Sequence, residues 1–229
     1  MQEHHLSVTR TARYFTLGTI GPGEGEVWFV LHGYGQLAGR FLRHFEPLAQ
    51  AGALVVAPEG LSRFYVDDVP PPPERKVGAS WMTHEDRLGE IEDYVRYLDA
   101  VYEEVFRGVK RPAVRVTVLA FSQGTATACR WLARGVARAH RLILWGGEVP
   151  PDLDLAGARS RLAPLDLTLV VGRRDEYITA KLLARETARL TAHGIPFRVV
   201  QFDGGHEIDA QVLLELAGAR ETGGGKRET

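Results

Sequence analysis

Three residues in three separate stretches could together cleave a carbonyl compound. Ser122 stands in L-A-F-S-Q-G-T, Asp175 in V-V-G-R-R-D-E and His206 in F-D-G-G-H-E. A serine hydroxyl is a weak nucleophile until a histidine takes its proton and an acid orients that histidine, so the chemistry needs all three. The chain order Ser, Asp, His is the one expected when each member rides on a successive strand of a parallel sheet. Ala120 and Gly124 flank Ser122 at two-residue offsets. Small residues are needed there, because strand and helix backbones pack closely around a nucleophile held in a strained turn. The same hydroxyl could instead cap the following helix by accepting one backbone N–H bond. The acid is also open: Asp175 is favoured by its distance from the preceding strand, with Glu176 and Asp203 as alternatives.

Attack on a carbonyl places negative charge on its oxygen, and backbone N–H groups can receive it. One donor is expected from Gln123, just after the serine, and another from an early strand-end loop. V-L-H-G-Y-G-Q fits the second requirement, with Gly33 and Gly35 allowing close backbone approach and Tyr34 supplying the N–H. Read structurally, H-G-Y-G is a tight turn. The other histidines, His4, His5, His32, His44, His84, His140 and His193, are expected at surface or packing positions. No H-E-x-x-H motif or Cys-His cluster is present, so neither a metal nor a cofactor is expected.

The elements that must position these residues follow from the apolar pattern. Short runs rich in Val, Leu and Ile at 27–31, 53–57, 114–121, 141–145, 167–171 and 197–202 predict strands. Helical periodicity falls between them, at 37–50, 85–106, 122–137, 179–193 and 207–217. Leu88, Ile91, Val95, Leu98 and Tyr102 mark one buried stripe in the second helix. Alternating strands and helices predict an α/β fold with a mostly parallel central sheet and helices on both faces. Residues 7–17 would add an antiparallel edge strand. The connection 60–84 breaks this rhythm with four consecutive prolines at 70–73. Loops of this length are usually functional or disordered, and its Phe64, Tyr65 and Trp81 argue against plain disorder.

Composition is that of an ordinary globular chain: 229 residues, 45% hydrophobic and 25% charged, enough for one domain over 1–220. The glycine-rich polar tail 221–229 is expected to be disordered. A formal net charge of -1 offers no electrostatic case for nucleic acid. The single cysteine, Cys129, excludes an internal disulfide and reads as a small buried hydrophobe. No apolar segment is long enough for stable membrane insertion and no signal-peptide pattern is present, so a cytoplasmic location is expected.

The segments L-H-G-Y-G, F-S-Q-G, V-G-R-R-D and G-G-H-E resemble the phospholipase/carboxylesterase branch of the α/β-hydrolase family, over about residues 27 to 217. In that branch the nucleophile motif is commonly G-F-S-Q-G, so Gln123 adds specificity to the match. A-S-W-M-T resembles the branch's S-W segment near the acyl pocket. The resemblance implies an α/β-hydrolase fold, Ser122 as nucleophile, Asp175 and His206 as its partners, and the Tyr34 and Gln123 amides as the oxyanion hole. Ala120 replaces the usual glycine, Met82 and Thr83 replace an aromatic residue and an aspartate, and the proline run is unusual.

The implied function is a serine carboxylesterase acting on small esters with short to medium acyl chains. An acyl(-protein) thioesterase or lysophospholipase would use the same site, and a catalytically silent binding protein could keep the same fold. Dienelactone hydrolysis is disfavoured, because Ser122 stands where a cysteine would be expected. The connection between Trp145 and Leu167 is too short for a separate cap domain, which predicts an open site. Leu37, Phe64, Tyr65 and Trp81 are candidate pocket walls, with Trp81 equally readable as a core residue.

Overall fold

The computed structural model describes residues 1–20, 25–67, 74–107 and 114–218; the proline run and the expected tail lie outside them. Along the chain the strands are β1 (Tyr14–Leu17), β2 (Gly25–Leu31), β3 (Leu54–Pro58), β4 (Ser62–Tyr65), β5 (Val77–Ser80), β6 (Val114–Phe121), β7 (Arg141–Trp145), β8 (Asp166–Gly172) and β9 (Arg198–Phe202). The helices are α1 (Ala38–Phe41), α2 (Glu46–Gln50), α3 (Arg87–Val105), α4 (Gln123–Arg134), α5 (Leu155–Leu162), α6 (Ala180–Ala192) and α7 (Ala210–Gly218).

Seven strands form one sheet in the order β1-β3-β2-β6-β7-β8-β9. Only β1 runs antiparallel to its neighbour. Both faces are covered, and the strand alternation sorts side chains between two cores. In β6, Val114, Val116, Val118 and Ala120 face one core, while Leu119 and Phe121 face the other. The first core takes Tyr94 and Leu98 of α3, Ala128 and Leu132 of α4, Leu155 and Leu162 of α5 and Leu190 of α6. The second takes Ala38, Phe41 and Leu48 from the α1–α2 segment and Leu213 and Leu216 from α7. Each fully buried aliphatic or aromatic side chain of this kind contributes roughly 1.5–3 kcal/mol.

Several boundaries differ from the sequence reading. Of 7–17 only Tyr14–Leu17 forms a strand, against Val55 to Pro58 of β3, with one further backbone bond from Glu59 N to the Arg13 carbonyl at 3.2 Å. The expected helix 37–50 is broken into α1, a 3₁₀ turn at Leu42–Phe45 and α2. Pro47 has no N–H to continue a helix from residues before it, and it sits instead in the first turn of α2. Within 60–84, β4 and β5 pair as an antiparallel ribbon that the composition did not reveal. The β7–β8 connection carries α5, capped by the Asp154 carboxylate, which accepts from Gly157 N at 3.1 Å. Among the described residues no separate cap domain is present, and no helix is long and apolar enough to cross a membrane.

Candidate active site

All the chemistry-bearing loops open at one edge of the sheet. The loop at 33–36 follows β2, Ser122 follows β6, Asp175 follows β8 and His206 follows β9. These are carboxyl ends of parallel strands, where ligands bind in such sheets.

Ser122 joins β6 directly to α4 with φ +53° and ψ −120°. Such a conformation costs a non-glycine residue on the order of 1–3 kcal/mol and persists only when its surroundings fix it. Here they do. Ser122 N donates to the Trp145 carbonyl at 2.9 Å, and the Ser122 carbonyl accepts from Thr125 N at 3.0 Å and Thr125 Oγ1 at 2.7 Å. Gly124 cannot be enlarged, since a Cβ there would lie 2.6 Å from the Leu31 carbonyl oxygen and 2.8 Å from that of His32. Ala120 needs no such exemption; its methyl is buried in the first core. The Ser122 side chain makes no capping bond to α4, and its Oγ lies 3.0 Å from His206 Nε2.

His206 Nδ1 lies 2.9 Å from Asp175 Oδ2. The Asp175 side chain is only 1% exposed, and its other oxygen, Oδ1, accepts from Tyr177 N at 2.8 Å and Ile178 N at 3.0 Å. A carboxylate can only accept here, so Nδ1 carries the imidazole proton and Nε2 presents its lone pair to the Ser122 hydroxyl. Glu176 is exposed, and Asp203 is exposed and paired with Arg174. Of the acids left open by the sequence, Asp175 is the one that meets His206. The ring is packed by Phe121 at 4.8 Å and Tyr177 at 4.6 Å between centroids. Gly146, at φ +57°, adds its backbone, where a Cβ would come within 3.2 Å of the imidazole.

The early loop closes the site from the β2 side. Gly33 N donates to Gln36 Oε1 at 2.8 Å, Gly35 N to the Ala79 carbonyl at 2.9 Å and Gln36 N to the Gly33 carbonyl at 3.3 Å. The amides on either side of Tyr34 are thereby engaged. A Cβ on Gly33 would lie 3.1 Å from the Ser122 Cβ, so the loop runs immediately beside the serine. Gln123 N is in the first turn of α4, where N–H groups have no intrahelical acceptor and the helix dipole favours negative charge. The ribbon braces this loop: Ala79 N donates back to the Gln36 carbonyl at 3.1 Å, and Phe64 stacks on Tyr34 at 5.0 Å. The Gln123 side chain ties the ribbon to the serine turn, donating to the Met82 carbonyl at 2.8 Å and accepting from Trp81 N at 3.1 Å.

The candidate pocket walls separate. Phe64 and Leu37 are half-buried beside the loop, whereas Tyr65 projects to the opposite side of the ribbon, against Arg75. Trp81 is a correction: at 2% exposure it belongs to the core, stacked on His32 at 4.9 Å with Nε1 donating to the His32 carbonyl at 2.8 Å. Its indole packs between His32, just after β2, and Tyr94 of α3. Four contributors were missed in the sequence: Tyr177, Phe121, Gly146 and the side chain of Gln123. For Tyr177 the available signal was a large aromatic in a polar strand-end turn.

His32 is fully buried, and its Nε2 accepts from Gly60 N at 2.9 Å while Nδ1 donates to the Gly33 carbonyl at 2.7 Å. Burial holds its pKa below the ordinary imidazole value. Below about pH 6.5 the unfolded chain binds a proton at this position that the fold refuses, so stability is present above that value and is lost as pH falls. The slope reaches at most about 1.4 kcal/mol per pH unit until the folded pKa is passed. Urea midpoints measured from about pH 7 to pH 5 should fall more steeply for the wild type than for His32→Asn. Identical pH dependence in the two proteins would contradict the neutral, buried assignment.

No family model and no curated sequence matches the chain. Its fold does match solved structures. Acyl-protein thioesterase 2 from Zea mays superimposes with a TM-score of 0.64 at 17% identity, covering 90% of this chain and 96% of that one. A carboxylesterase from Mesorhizobium loti gives 0.64 at 19% identity, covering 90% and 95%. A monoacylglycerol lipase from Paleococcus ferrophilus gives 0.58 at 15% identity, covering 90% and 98%. The chain has the α/β-hydrolase fold.

Proposed function

We propose that this protein is a serine carboxylesterase that hydrolyses small esters with short to medium acyl chains. The observation that carries this reading is the continuous chain from the strained Ser122 hydroxyl through His206 to the buried Asp175 carboxylate. Ser122 Oγ attacks the ester carbonyl as His206 Nε2 takes its proton. The oxyanion turns to the Gln123 and Tyr34 amides, and the alcohol departs with the proton returned by His206. Water, deprotonated by the same nitrogen, then cleaves the acyl-enzyme. Asp175 holds the imidazole tautomer and stabilises the imidazolium that forms in both halves. The site lacks a covering domain among the described residues, which favours substrates that need not be enclosed.

A fluorophosphonate probe tests the reading directly, because it phosphonylates an activated serine and leaves an unactivated one unmodified. The wild type is expected to label at the peptide containing Ser122, and Ser122→Ala is expected not to label. A folded wild type that stays unlabelled would return Ser122 to a structural role and leave the protein as a binder with a hydrolase fold.

A further inference from the structure

We infer that Tyr177 selects the leaving group, favouring esters of alcohols that carry an aromatic ring. This rests on the esterase reading above. Tyr177 is 65% exposed, yet its ring is not free: it leans on the His206 imidazole at 4.6 Å with an interplanar angle of 56°. Its backbone is fixed by the bond from Tyr177 N to Asp175 Oδ1 at 2.8 Å and by the following residue, Ile178, which is buried and bonded to the same oxygen. The sequence thus places a large aromatic face in water at a fixed position beside the general base. Burying the residue in the core cannot explain that choice.

The reaction geometry decides which part of a substrate meets this ring. His206 Nε2 must return its proton to the leaving-group oxygen, so that oxygen has to come within hydrogen-bond reach of the imidazole. The carbonyl oxygen turns away to the Gln123 and Tyr34 amides, on the side where Tyr34 stacks on Phe64. The alcohol portion is therefore the part that passes the His206 imidazole, and Tyr177 is the exposed aromatic ring that rests on that imidazole. Offset or edge-on contact between two aromatic rings is worth a few-fold to about tenfold in binding.

The test holds the acyl group constant. Ethyl butyrate and benzyl butyrate have leaving alcohols of similar basicity and differ in the ring. Tyr177→Ala is expected to lower the benzyl-to-ethyl ratio of kcat/KM by about three- to tenfold, mainly through KM for the benzyl ester. Tyr177→Phe should keep the wild-type ratio, and the ethyl butyrate to ethyl octanoate ratio should not change in either variant. A loss shared equally by the ethyl and benzyl esters would mean that Tyr177 only shields His206, and the inference would fall. An unchanged ratio would also overturn it. Fluorophosphonate labelling of each preparation separates the two levels. Labelling at Ser122 with an unchanged ratio defeats this inference alone, whereas no labelling of the wild type defeats the esterase reading and this inference together.

Discussion

Replacing Ser122 with alanine is expected to lower kcat for a simple butyrate ester by about 10⁴- to 10⁶-fold while leaving KM nearly unchanged. The substitution removes one oxygen whose hydrogen-bond partner is His206 Nε2. It leaves the backbone that would receive the oxyanion in place, so substrate should still bind and the residual rate should come from polarisation and positioning alone. Because the hydroxyl makes no cap on α4, the fold should not lose stability with it. His206→Ala should produce a loss of the same order. The double variant should be little worse than either single one, since the two groups act as one unit. Losses that multiply, or a Ser122→Ala protein that retains more than about a hundredth of its activity, would mean that the ester is cleaved elsewhere.

The second large effect is expected at Asp175. Asp175→Asn should reduce kcat by about 10⁴-fold, and the hydrogen bonds give the reason. Oδ1 accepts two backbone N–H groups, from Tyr177 and Ile178, so in the variant the amide oxygen must occupy that position. The amide NH₂ is then directed at His206 Nδ1, which has to accept rather than donate. The imidazole proton moves to Nε2, and the base facing Ser122 no longer has a lone pair to take the serine proton. Glu176→Gln, at an exposed position one residue away, should stay within about twofold of the wild type. Steady-state kinetics on the two variants with one ester decides the matter. Near-normal turnover in Asp175→Asn would move the orienting role to another acid.

The ribbon of β4 and β5 carries no apolar run that would mark it as strand. Its strands are four residues each, and they contain Arg63, Gly78 and Ser80. They are strands because they pair with each other, and β5 is bridged to the loop after β2 through Ala79 and Gln36. Gly78 must lack a side chain because a Cβ would lie 2.4 Å from the Gly35 carbonyl oxygen, a contact between residues far apart in sequence. Trp81 follows the same logic: the chain marks it as a large aromatic near the site, but only the approach of β2 and α3 directs its indole into the core.

The sequence by itself determined the strands of the parallel sheet, the helices α3, α4, α6 and α7 to within a few residues, and the order in which Ser122, Asp175 and His206 come along the chain, but neither the break at 42–45 nor α5. Those features are local: continuous apolar runs, helical stripes and small residues around one serine each follow from neighbouring positions. Strand-end spacing already favoured Asp175 over Glu176 and Asp203; tertiary structure decided that this acid meets His206 and that the Ser122 hydroxyl faces an imidazole rather than its own helix. It also decided which aromatics stand in the core and which at the rim. Asp175, Glu176 and Asp203 all lie in strand-end loops, and spacing along the chain ranks them without excluding any. They separate only when the ends of β8 and β9 come side by side and leave one carboxylate buried against the imidazole, with the other two exposed at the surface.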